Sequence, residues 1–88
     1  MEFYITSRQV ECEDGSSRCF QYFLLVEQVD SGSFQCENYG VRITEEGVDS
    51  SSLPGLTTSA VRIDQLMTML VDNAVGPAGL EDVIRDWL

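Results

Sequence analysis

The chain contains no histidine, and this absence limits its chemistry more than any residue present does. Ser-His and Cys-His nucleophilic arrangements, imidazole-dependent zinc sites and the commonest general base near neutral pH are all out of reach. Basic residues are scarce too: 5 lysine plus arginine stand against 15 aspartate plus glutamate, a formal net charge of −10. Such a charge repels nucleic-acid phosphate and anionic lipid headgroups, so direct binding to nucleic acid or to a membrane is not expected. It favours solubility and steers the protein towards basic partners. No apolar run approaches the roughly 18 residues that span a bilayer. The opening Met1-Glu2-Phe3-Tyr4 lacks the basic-then-apolar order of a secretory leader, so a cytoplasmic location is expected. Cysteine is limited to Cys12, Cys19 and Cys36, an odd number that argues against a disulfide framework and for reduced thiols.

What is present suits one small core. The 88 residues fit a single domain over 1–88, and a chain this short buries only about 60% of the surface its unfolded form exposes. Phe3 to about Cys12 favours a strand, closed by the turn formers Glu13-Asp14-Gly15-Ser16-Ser17. Arg18 to Val29 is the strongest strand, with Phe20, Tyr22, Phe23, Leu24, Leu25 and Val26 crowding both faces, and is expected in mid-sheet. Asp30-Ser31-Gly32-Ser33 supplies a turn, and Phe34 to about Glu45 returns as a third strand. Within it Phe34 and Cys36 share one parity while Tyr39, Val41 and Ile43 share the other, which predicts a β-bulge near Asn38 to Gly40.

Gly47 to Gly55 neither alternates nor repeats at helical spacing and reads as an exposed connection, with Leu56 to Thr58 as a potential short edge strand. Thr57, Thr58 or Ser59 then caps a helix over about 59–74, on which Ile63, Leu66, Met67, Leu70 and Ala74 form the apolar stripe. Val75-Gly76-Pro77 interrupts it, and Leu80, Val83, Ile84, Trp87 and Leu88 resume helical spacing to the end. The expected fold is α+β: a three-stranded antiparallel meander, with a potential fourth strand, followed by a C-terminal two-helix hairpin packed on one sheet face.

The segment Leu70-Val71-Asp72-Asn73-Ala74-Val75-Gly76-Pro77, with Leu80 to Leu88 after it and Tyr39-Gly40-Val41-Arg42-Ile43 before it, resembles a small uncharacterised bacterial family of unknown function from clostridial-type anaerobes. The resemblance implies a cytosolic single domain whose strand-rich half ends in a tyrosine-glycine-aliphatic strand and whose chain closes on a helix. It brings no activity, cofactor or catalytic residue. Where that family has a polar residue or histidine just before the leucine of the last helix, this chain has Gly79.

The residues themselves point to no catalytic, metal or cofactor site. Cys12 and Cys19 flank the first turn and are candidate redox residues, able to pair if their Cα atoms come within about 7 Å. The plainer expectation is that all three cysteines are small, mostly buried apolar residues. Arg18 beside Cys19 would lower a thiol pKa only if both faced the same side, and neighbours on a strand do not. Glu11, Glu13 and Asp14, like Glu45, Glu46 and Asp49, lack the ordered spacing of a calcium loop and read as solvated acidic turns. Gly76 and Gly79 read as a helix junction, not a phosphate loop, and Trp87 reads as core.

The main imbalance lies in the second strand, because two helices cover only one sheet face. If they cover Phe20, Tyr22, Leu24 and Val26, then Phe23 and Leu25 form an apolar patch on the open face, a candidate homodimer or partner interface. The alternative there is a cover of Tyr, Arg and Gln side chains. The leading functional expectation is a non-enzymatic protein-interaction or regulatory module. An acidic nucleic-acid mimic that inhibits a basic protein comes second, and a thiol-based redox sensor or enzyme third.

Overall fold

The structure, a computed structural model, describes residues 1–32 and 34–88, except for the side chain of Ser31. Four strands, β1 (Glu2–Glu11), β2 (Ser17–Ser31), β3 (Phe34–Glu45) and β4 (Asp49–Thr57), form an antiparallel sheet in chain order, so β1 and β4 are its edges. Helices α1 (Ala60–Asp72) and α2 (Leu80–Trp87) follow, joined through a single 3₁₀ turn at Pro77–Gly79. This is the expected α+β meander with the fourth strand present. Ser33, assigned to the second turn, lies outside the described residues.

β2 takes the central place its composition demands. Phe20 and Tyr22 on one of its faces meet Val41 and Ile43 of β3, and these four pack beneath Ile63, Leu66, Met67 and Leu70 of α1 and Leu80 and Ile84 of α2. Each such side chain contributes roughly 1.5–3 kcal/mol by leaving water, so this single cluster dominates the stability. Trp87 packs against its margin, with the Arg62 guanidinium 4.4 Å from the ring centroid.

Two sequence expectations need correction. Gly47 and Val48 form a turn, but the rest of the stretch 47–55 is strand, not connection: Asp49 to Leu53 pair rung by rung with Glu45 to Val41. Its serines hid the strand, since three of them in a row carry no apolar alternation, although edge strands are often polar. Pro54 sits where the ladder breaks, as proline in a sheet must. Tyr39 pairs with Thr57 and Val41 with Leu53, so three residues of β4 stand opposite Gly40 alone. A Cβ on Gly40 would lie 2.3 Å from the Leu53 carbonyl oxygen, a distance that only glycine permits.

The second correction concerns the bulge. The irregularity expected near Asn38 to Gly40 is present in the β3–β4 ladder, between Tyr39 and Val41, but its extra residues are on β4, since β2 and β3 pair without a break from Phe20↔Glu45 to Ser31↔Phe34. The parity change at Asn38 has another cause. Met1 and Glu2 are the last residues of β1 to reach β2, at Val26 and Leu25, and β4 ends opposite Tyr39. Beyond them Glu27–Ser31 and Phe34–Asn38 form a two-stranded arm about 15 Å long. Val29, Phe34 and Cys36 share the face of the arm that continues the open side, far from the helices. A second register shift lies in β1, where Ile5 is the extra residue between Tyr4↔Phe23 and Thr6↔Tyr22.

Candidate functional site

The helices cover the face carrying Phe20 and Tyr22, so Phe23 and Leu25 lie on the open face. Phe23 is not bare there. The Tyr4 ring meets it edge-on at 5.7 Å, and the Arg42 guanidinium lies over its other flank, 5.7 Å from the centroid. Arg42 is held in turn by Glu2 Oε1 at 2.7 Å and Ser50 Oγ at 3.2 Å. Farther along, Thr44 donates to Gln21 Oε1 at 2.6 Å, and Gln21 donates to Cys19 Sγ at 3.6 Å. The open face thus carries two polar clusters, one joining β1, β3 and β4 and the other β2 and β3, with Phe23 and Leu25 half-buried. Leu25 borders a shallow depression of about 410 Å³ with Met1, Asn38 and Pro54.

The cysteines do not come together. Cys19 is opposite Gln9, whereas Cys12 hydrogen-bonds Ser16 across the turn, three rungs away. Three rungs are about 10 Å, beyond disulfide reach, and their parities put the two thiols on opposite faces. Nor are all three buried: Cys12 and Cys19 are half-buried and Cys36 is exposed on the arm. A two-stranded overhang cannot bury either of its faces, whatever the residue's preference.

Of the carboxylates in the acidic turns, Glu45 is ion-paired. Glu45, 7% exposed, receives a two-pronged hydrogen bond from Arg18, Nε to Oε2 at 3.0 Å and Nη2 to Oε1 at 2.7 Å. The fork raises the Arg18 pKa above its ordinary value, and the guanidinium lies 5.6 Å from the Phe20 ring, closing that end of the core. Asp14 instead caps its own turn, and hydrogen bonds from the Ser16 hydroxyl and amide hold its carboxyl below the usual range. Among the described residues, no three His, Cys, Asp or Glu side chains gather as a metal site. No helix among them is long and apolar enough to cross a membrane.

The feature that sequence reasoning missed is on the helix side. The 15 residues of β2 reach about 50 Å, while the 13 residues of α1 reach about 20 Å. The sheet therefore outruns its cover. Adjoining depressions of about 540 Å³ and 340 Å³ meet at Leu24 and Tyr39, and the second is walled by Ile63 and Met67 of α1. The β1 bulge turns both Phe3 and Ile5 to this side, where they stay 45% and 44% exposed. Comparing strand length with helix length would have exposed this groove; the parity of single strands does not.

Groove polarity is one-sided. Glu37 borders one depression and Asp64 the other, and Asp72 borders a continuation along α1 past Ile5 and Met67, while Glu27, at the margin of the first, shares the parity of Leu25 and turns to the open face. The Tyr39 hydroxyl donates to Glu37 Oε2 at 3.1 Å, and that acceptor together with burial raises the phenol pKa above 10.0. The Met1 amino group is the lone cation bordering these depressions among the described residues, and it donates to the Val26 carbonyl at 2.8 Å.

No curated protein and no solved structure matches the chain. Its sequence is matched by one family profile along residues 1–88, and the chain belongs to that family, described as a family of unknown function, DUF6514.

Proposed function

We propose that this domain is a non-enzymatic protein-interaction module that binds a partner through the helix-side groove. The observation that carries the reading is the mismatch of lengths: the sheet runs on past α1 at Phe3 and Val26, and with Ile5 and Leu24 only partly covered beside the helix this leaves contiguous apolar surface. Scattered surface apolars need no partner, but a continuous groove of this kind is the usual form of a peptide or protein site. The open face is the second candidate surface, because Tyr4 and Arg42 already shield Phe23. A cytoplasmic setting suits the three free thiols.

The test is capture from lysate at about 50 mM and about 500 mM salt, which separates screened from unscreened association. Wild type is compared with Phe3→Ser/Ile5→Ser, altered in the groove, and with Phe23→Glu, altered on the open face. A discrete partner lost only from the groove variant is the expected result. Loss confined to Phe23→Glu moves the site to the open face. A basic nuclease or DNA-binding protein held at low salt by all three chains favours the inhibitor reading instead.

A further inference from the structure

The groove's charge identifies the kind of partner. Its floor is apolar, with Phe3, Leu24 and Tyr39 at one end and Ile5, Ile63 and Met67 at the other. Its rim carries Glu37, Asp64 and Asp72, all three exposed and none in an ion pair among the described residues. The arginines that do form ion pairs, Arg18 and Arg42, are bound to Glu45 and to Glu2, away from this rim. A second copy of the chain is a poor occupant, since each carries −10 and would add to the same field.

We propose that the groove holds a cationic amphipathic segment of another protein, its large apolar side chains on the floor and its lysines or arginines over Glu37, Asp64 and Asp72. This inference rests on the interaction-module reading and adds the chemistry of the partner. Apolar contact supplies the area, and the carboxylate rim supplies selection and a fast encounter. An anionic segment of equal apolarity is rejected by like charge at three positions around the site.

The experiment titrates the full chain with two synthetic 18-residue peptides of the same amphipathic helical pattern, leucine with lysine and leucine with glutamate. The leucine-lysine peptide is expected to bind saturably and at least about tenfold more tightly than its counterpart, a difference of about 1.4 kcal/mol. Glu37→Lys/Asp64→Lys should weaken it about tenfold, since two rim attractions become repulsions. Glu81→Lys/Asp82→Lys makes the same change in net charge on α2, away from the groove, and should alter binding less than about twofold. Phe3→Ser/Ile5→Ser should weaken binding while the chain still unfolds cooperatively, at a midpoint lowered by the partial burial each side chain loses.

Equal weakening by the two charge-reversal pairs would overturn the proposal, because the peptide would then be reading net charge alone. Equal affinity for both peptides, or saturable binding of neither, would overturn it as well. So would a dimer that Phe3→Ser/Ile5→Ser converts to monomer, which would make a second copy the occupant. In each case the lysate capture judges the module reading separately: a partner still lost from the groove variant leaves that reading standing without its cationic class.

Discussion

At the scale of single residues, tight backbone approach and burial set the sharpest constraints. Gly40→Ala should destabilise the domain by about 2–3 kcal/mol in urea titration, since the added carbon meets the β4 main chain and not a side chain that can turn away. Tyr22 is constrained differently. It is 0% exposed, its hydroxyl donates to the Val75 carbonyl at 2.9 Å, and burial raises its pKa above 10.0. The unfolded phenol ionises near pH 10, so the stabilisation from a neutral Tyr22 is complete below that pH and is lost as pH rises towards the higher folded value. Tyr22→Phe should cost about 1–2 kcal/mol at pH 7 and flatten the alkaline decline in stability, followed by thermal midpoint between pH 8 and 11. The place of Tyr22 in the core is legible in its parity with Phe20. The approach at Gly40 is not, because it depends on where a different strand breaks register.

At the scale of elements, α1 shows how a helix end is built and where it falls short. Ser59 Oγ accepts from the Arg62 amide at 3.2 Å, the cap foreseen among the three hydroxyl residues there. At the other end the Val75 amide reaches the Leu70 carbonyl and the Ala74 amide the Val71 carbonyl, a Schellman closure. That closure puts Ala74 at φ 48°, so it leaves the helix and the apolar stripe it was expected to complete. Ala74→Gly should therefore stabilise the domain by about 0.5–1 kcal/mol, seen as a higher denaturation midpoint at unchanged slope. Helices were legible because their period and stop signals are local. β4 was only partly legible, because its polar serines are held by pairing with β3, a relation between distant residues that alternation within β4 does not record. The groove was illegible for a related reason: it belongs to no element and arises from the difference in reach between two.

At the scale of the whole molecule, the extents of 55 × 24 × 17 Å describe a long sheet with a short cover at one end and a bare arm at the other. Thiol chemistry should follow that gradient. A water-soluble disulfide reagent should modify one thiol of the folded chain rapidly, and Cys36→Ser should abolish that phase, leaving the half-buried Cys12 and Cys19 to react slowly. Rapid modification of Cys12 or Cys19 would instead revive the thiol-sensor reading at those residues. Oxidation should join two chains through Cys36 and not close Cys12 onto Cys19, as checked by non-reducing electrophoresis.

The order of elements along the chain also bears on synthesis. All four strands precede both helices, and each strand pairs only with its neighbours in sequence, so the sheet can assemble while the chain is still being made. Its apolar side, with Phe20, Tyr22, Val41 and Ile43, has nothing to pack against until Ile63 to Ile84 leave the ribosome. The nascent protein is therefore expected to pass through an interval in which a paired sheet presents an uncovered hydrophobic surface, and the docking of α1 and α2 ends that exposure.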